Sequence, residues 1–134
     1  MYHNILVPIA FDADRDVSAP LKLAKLLATP DAKITLLHVV EHIPGYAISY
    51  MPTDYLTEVR TAIQSELDEL AASVGGVGVV IEGHSGRSVL DWAETNKPDL
   101  IIVASHRPGM QDLLLGSTAA QIVRHAACAV HVVR

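Results

Sequence analysis

Aromatic side chains are scarce in this chain: one Trp, one Phe and four Tyr among 134 residues. The 50% hydrophobic content is therefore carried mainly by Ala, Val, Leu and Ile, a core that suits helices layered on a parallel sheet. Cysteine is limited to Cys128. No internal disulfide can form, and a reducing compartment is expected. Flanked by Ala126, Ala127 and Ala129, Cys128 reads as a small buried residue rather than a reactive thiol. Positive charge is also short, with 10 Lys and Arg against 15 Asp and Glu, a net charge of −5 and no basic stripe. Nucleic acid and anionic membranes are therefore not expected as partners. No apolar run approaches the roughly 18 residues that span a bilayer. The start, Met1-Tyr2-His3-Asn4, lacks the charged and apolar regions of a signal peptide, so a soluble, cytoplasmic protein is expected. Internal repeats and linkers are absent too. The expectation is a single domain over residues 1–134, long enough to bury a stable core.

Four short apolar runs share one character: Ile5–Ile9, Ile34–Val40, Leu100–Ala104 and Ala129–Val133. A fifth, Gly78–Ile81, is weaker. They are rich in Val and Ile without clean alternation, as in strands buried on both faces. Stretches with helical spacing lie between them. Asp16 or Ser18 is placed to cap a first helix with Pro20 in its first turn; Leu21, Ala24, Leu27 and Ala28 form its apolar stripe, and Pro30 follows its end. A second helix, about Thr53 to Ser73, aligns Leu56, Val59, Ile63, Leu67 and Leu70. A third, about Arg87 to Asn96, buries Val89, Leu90 and Ala93 with Trp92 at its edge. A fourth, about Ser117 to His125, buries Ala120, Ile122 and Val123. Gly75-Gly76-Val77-Gly78 reads as a helix end and turn. The β-α-β-α-β-α-β-α-β order predicts a three-layer α/β/α sandwich around a five-stranded parallel sheet with right-handed crossovers. The one long irregular stretch, Glu41 to Pro52, carries Tyr46, Tyr50 and Met51 and reads as a ligand flap, a dimer contact or a surface loop packing its own tyrosines.

In such a sheet, ligands bind beyond the C-terminal ends of the strands. That rule selects Ala10-Phe11-Asp12, Glu41-His42, Gly83-His84-Ser85-Gly86 and Ser105-His106-Arg107-Pro108-Gly109. After the last of these, Gly116-Ser117-Thr118 opens a helix, offering N–H groups, hydroxyls and the positive end of the helix dipole to an anion. Arg107, just before it, has a fixed charge suited to phosphate. The segment reads equally as a phosphate loop without the usual lysine and as an ordinary serine-capped helix start.

The opening Asn4-Ile5-Leu6-Val7-Pro8-Ile9, the strand Leu36-Leu37-His38-Val39-Val40, the turn Glu82-Gly83-His84-Ser85 and the tail from Ile101 to Arg134 together resemble the universal stress protein family, in particular its small single-domain bacterial members. In the tail, Ala104-Ser105-His106-Arg107-Pro108, Leu114-Leu115-Gly116-Ser117, Val123-Arg124-His125-Ala126 and Val132-Val133-Arg134 follow the family's pattern. The resemblance implies a Rossmann-like fold with strand order 3-2-1-4-5. It also implies a homodimer through the last strand, Ala129 to Val133, and adenine-nucleotide binding. By resemblance, Pro8 and Ile9 line the adenosine pocket, the backbone around Val39 and Val40 meets the adenine edge, and Gly83 lets its loop approach. Ser105, His106, Arg107, Gly116, Ser117 and Thr118 surround the phosphates of ATP, or of ADP or AMP, with Mg²⁺ held mainly by phosphate oxygens and water. Two departures stand out. Ala104 and Arg107 occupy positions where ATP-binding members carry glycines, and only eight residues separate Arg107 from Gly116. The position two residues after Pro8, usually Asp, is Ala10; Asp12 follows two residues later and is the candidate to take its place.

Other chemistries find little support. Asp12, Asp14 and Asp16 alternate like a calcium loop, but Val17 and Leu23 stand where Gly and Glu are required. His38, His84 and His106 are expected near the C-terminal edge of the sheet, without a compact metal-ligand spacing. No Gly-x-Ser-x-Gly elbow and no nucleophile–base pair is present, so no enzyme is expected, slow ATP hydrolysis or autophosphorylation aside. A receiver domain would need an acceptor Asp after the third strand, and a dinucleotide oxidoreductase a Gly-x-Gly-x-x-Gly after the first. Two readings follow: a dimeric stress protein with ATP or another adenine nucleotide as regulatory ligand, read by a regulatory protein partner; or a dimeric interaction module of the same fold that has lost nucleotide binding.

Overall fold

A computed structural model describes residues 1–11, 17–105 and 115–134. Among them are five strands with helices between them, two helices lying between the second and third strands: β1 Tyr2–Pro8, α1 Ser18–Leu27, β2 Ala28–Val40, α2 Gly45–Ile48, α3 Tyr55–Ser73, β3 Val77–Glu82, α4 Ser85–Asn96, β4 Leu100–Ala104, α5 Ser117–His125 and β5 Ala129–Val133. The strands form one sheet in the order β3-β2-β1-β4-β5, and every pair is parallel. This is the α/β sandwich and the strand order expected.

Burial on both faces explains why the inner strands read as unbroken apolar runs. In the central strand β1, Ile5 and Val7 point into a core shared with Leu21 and Ala24 of α1 and Leu67 and Ala71 of α3. Leu6 points the other way, toward Val89 of α4 and Ala119 and Ile122 of α5. The alternation repeats in β4, where Leu100 and Ile102 join the first core and Ile101 and Val103 the second. Helices α4 and α5 thus cover one face and α1 and α3 the other.

Several sequence boundaries shift. Ala28 belongs to β2 rather than to the stripe of α1: it is extended (φ −77°, ψ 139°) and pairs with Tyr2. Pro30 cannot extend a helix, and it biases Thr29 toward extended backbone. The pairing is irregular before it settles at Asn4 opposite Lys33. At the start of α1 the N-cap is Val17, with no side-chain cap bond; Asp16 lies outside the described residues. Helix α5 buries Ala119 and Ile122, whereas Val123 is exposed and Ala120 half-buried. Val59 of α3 is exposed as well. The stretch after β2 contains the short helix α2, which leaves Tyr46 and Tyr50 in solvent.

Gly76 shows why the turn into β3 needs glycine. Its N–H bonds to Ala71 O at 2.8 Å, closing the end of α3. A Cβ there would stand 2.5 Å from Ile34 O, so β2 approaches too closely for any side chain.

Candidate functional site

The C-terminal ends of β1, β2 and β4 and the starts of α4 and α5 enclose a cavity of about 810 Å³, within the range of about 300–1,000 Å³ common for ligand sites. Pro8 and Ile9 line it from the end of β1, and Val39 and Val40 from the end of β2. Ser105 follows β4, and Gly116, Ser117 and Thr118 open α5 on the same cavity. Eight of the candidate residues from the sequence are therefore brought together. Gly83 is not in the wall. It ends β3 in a left-handed conformation (φ +144°), and its N–H donates to Val40 O at 2.9 Å, so it supports the wall from behind. Asp12, His106 and Arg107 lie outside the described residues.

The α5 end is the donor end. The Gly116 N–H is committed to Ser105 O at 2.6 Å, and the Ser105 N–H to Val133 O at 2.8 Å. These bonds bring the two ends of the phosphate-loop candidate together over the β4–β5 edge. The N–H groups of Ser117, Thr118 and Ala119 have no intrahelical acceptor at a helix start, and no side chain caps α5. With the hydroxyls of Ser117 and Thr118, they offer the kind of donors with which helix N-termini can hold anions.

The opposite end is the acceptor end. Glu41 directly follows β2, and its Oε1 accepts the hydroxyl of Ser85, the first residue of α4, at 2.9 Å. Both residues line the cavity. Among the described lining residues Glu41 is the one acidic side chain. Between the two ends, His38 Nδ1 bonds to Ile9 O at 2.7 Å, and the His38 and Phe11 rings pack with centroids 5.0 Å apart. Ala10 contributes no polar group to the wall. Glu41, Ser85, His38 and Phe11 were not singled out as binding residues in the sequence. The strand-end rule nonetheless points to the segments that hold Glu41, Ser85 and Phe11; His38 is different, because a residue inside a strand gives no such signal.

Among the described residues, no group of three His, Cys, Asp or Glu side chains is placed to hold a metal ion, and no helix is long and apolar enough to cross a membrane.

The profile of the universal stress protein family matches residues 1–134. Universal stress protein A homolog 2 of Coxiella burnetii is 34% identical over 99% of this chain and 95% of its own length. Among solved structures, universal stress protein UspA from Lactobacillus plantarum superposes with a TM-score of 0.72 at 26% identity, covering 99% of this chain and 98% of its own. An Arabidopsis thaliana universal stress protein family member with AMP bound reaches 0.63 at 19% identity, over 98% of this chain and 90% of its own. A universal stress protein in complex with cAMP reaches 0.64 at 19%, over 99% and 97%.

Proposed function

Since this chain belongs to the universal stress protein family, we propose that it is a non-enzymatic, cytoplasmic stress protein of one domain whose cavity takes an adenine nucleotide as a regulatory ligand. The observation that carries this reading is the cavity's polarity. The uncapped start of α5 offers N–H and hydroxyl donors at one end, and an apolar floor of Pro8, Ile9, Val39 and Val40 leads away from it. Phosphates suit the first and a purine ring the second. That two proteins of the same fold hold AMP and cAMP agrees with it. The residues assigned to the ligand are Pro8, Ile9, Val39 and Val40 for the nucleoside, and Ser105, Gly116, Ser117 and Thr118 for the phosphates; the sequence assigns His106 and Arg107 to the phosphates and Asp12 to the nucleoside as well. Gly83 shapes the wall. With ATP, Mg²⁺ would be held mainly by phosphate oxygens and water.

Occupancy changes the protein only through a difference in affinity between its two states, and the reader of that difference is a protein partner. The chain itself is proposed to pair with a second copy through β5. Thermal unfolding with ATP, ADP, AMP and GTP tests the nucleotide reading. An adenine-selective rise in Tm is expected, because a ligand that binds the folded state stabilises it. No shift at millimolar nucleotide, in protein purified free of nucleotide, refutes it. That result would favour the second reading, an interaction module without a nucleotide, for which Ala10 in the cavity wall is the observation.

A further inference from the structure

Resting on the nucleotide reading above, we propose that Glu41, held in place by Ser85, is the residue that recognises the ribose 2′-hydroxyl, so that the site selects ribonucleotides over deoxyribonucleotides. Three observations converge. First, Glu41 and Ser85 both line the cavity, and the Ser85 hydroxyl donates to Oε1 at 2.9 Å. The exposed carboxylate is thereby tethered at the N-terminal end of α4, where the helix dipole favours a negative charge.

Second, among the described residues no cation pairs with this carboxylate. Nearby Glu82 is paired with His42 at 2.9 Å and Arg60 at 3.6 Å, whereas the one side-chain bond shown to Glu41 is that from Ser85. An ionised carboxylate has several acceptor positions, so Oε2 remains to take a donor from a ligand. It repels phosphate and suits a hydroxyl or an amine.

Third, the place is right. β2 and β4 flank β1, so their ends stand about 10 Å apart, two strand spacings. α4 and α5 pack on the same sheet face. A nucleotide with its phosphates at Ser117 and Thr118 lays its sugar across β1 toward the end of β2, where Glu41 stands. A carboxylate accepting from a ribose 2′-hydroxyl is the device by which dinucleotide-binding folds read that group. With Ala10 providing no polar group at the end of β1, Glu41 is the described carboxylate available for the task.

The test is calorimetric titration of the full chain with ATP, 2′-deoxy-ATP and inosine triphosphate. Wild type, Glu41→Gln, Glu41→Ala and Ser85→Ala are compared, each checked for folding by circular dichroism. Wild type is expected to favour ATP over 2′-deoxy-ATP by about tenfold, the scale of one hydrogen bond to a charged group. Glu41→Ala should erase that preference while leaving the preference over inosine triphosphate; Glu41→Gln, whose amide oxygen still accepts but carries no charge, should reduce it, and Ser85→Ala should weaken it in part. Equal binding of ATP and 2′-deoxy-ATP by wild type overturns the proposal. So does a ribose preference that survives in Glu41→Ala. If Glu41→Ala instead erases the preference over inosine triphosphate, the carboxylate reads the base and the ribose assignment falls. Failure of wild type to bind any of the three defeats the nucleotide reading itself, a result separable from the others.

Discussion

His38 Nδ1 and the main-chain oxygen of Ile9 lie 2.7 Å apart. A carbonyl oxygen only accepts, so Nδ1 carries the proton. The bond joins β2 to the chain just past β1, next to the backbone bond from Ile9 N–H to Leu37 O at 2.8 Å. Ile9, His38 and Leu37 all line the cavity. The segment proposed to support a purine is therefore tied down from two sides, which reduces the ordering that binding would require.

Replacing His38 by Ala should leave the Ile9 carbonyl without this donor and strip one ring from the Phe11 pair, lowering stability by about 1–2 kcal/mol. His38→Asn sets an amide N–H near the position of Nδ1 and should recover part of the loss. Urea midpoints of the three proteins measure this. Equal midpoints for wild type and His38→Ala would show that the bond contributes nothing.

At the other end of the sheet, Asp99 acts as a clamp on the first strand. Its Oδ2 accepts the His3 N–H and its Oδ1 the Asn4 N–H, each at 2.9 Å, while its own N–H donates to Asn4 O at 2.9 Å. The Asn4 side chain reaches back to the carbonyls of Asn96 and Lys97. Burial raises the Asp99 pKa, but the N–H groups of His3, Asn4 and Asp99 itself, with the charge of His3, outweigh it and leave the carboxyl below its ordinary 3.8. A pKa lower in the folded than in the unfolded chain gives stability that is fully present above the unfolded value. That stability is lost as pH falls through the folded one. Asp99→Asn should therefore lower the urea midpoint at neutral pH, and the gap from wild type should narrow as pH drops below 3.8. A gap of constant size down to acid pH would assign the loss to shape rather than charge.

The clamp also shows where the sequence was silent. The apolar run begins at Ile5, yet β1 begins at Tyr2, because His3 and Asn4 are held by Asp99 rather than by burial. A residue 95 positions away leaves no local trace. β2 likewise runs back through Thr29, Pro30 and Asp31, residues that resemble a turn and fall in the irregular stretch between the Ala28 and Lys33 pairings with β1. Strands buried on both faces were plain, since their side chains must be apolar whichever way they point. The donor end of the site was legible too, because a Gly-Ser-Thr start has a local signature. Glu41 was less so: it is solvent-exposed, and an exposed acidic residue after a strand carries no signal until Ser85 is seen beside it.

Thr35 is the one described buried side-chain group without a partner: its Oγ1 makes no hydrogen bond, and the residue is 1% exposed. It lies mid-sheet, between Leu6 of β1 and Val77 of β3. A hydroxyl buried without a partner is a cost to folding, and Val has the same shape with a methyl in its place. Thr35→Val should raise stability by about 1 kcal/mol, seen as a higher urea midpoint with unchanged slope. A lower midpoint would mean that the hydroxyl is satisfied, for example by a bound water.

The two edges of the sheet differ in how they are covered, and that difference bears on pairing between copies. On β3, Gly78 O accepts from Gln64 Nε2 at 3.2 Å and Val80 O from Arg60 Nη2 at 3.5 Å, so α3 reaches over that edge. β5 pairs with β4 on one side and ends the sheet on the other. Of its residues, Ala129 and His131 are exposed, so neither is needed for the core. An open, uncharged edge strand is a template for a second strand, and lysine on it opposes such pairing. The double variant Ala129→Lys, His131→Lys should therefore keep the fold and its thermal unfolding while light scattering reports the mass of a single chain, against twice that mass for wild type. If wild type is already a single chain, or if the variant keeps the doubled mass, β5 is not the contact, because two lysines per strand facing their counterparts would place four like charges within one short ladder.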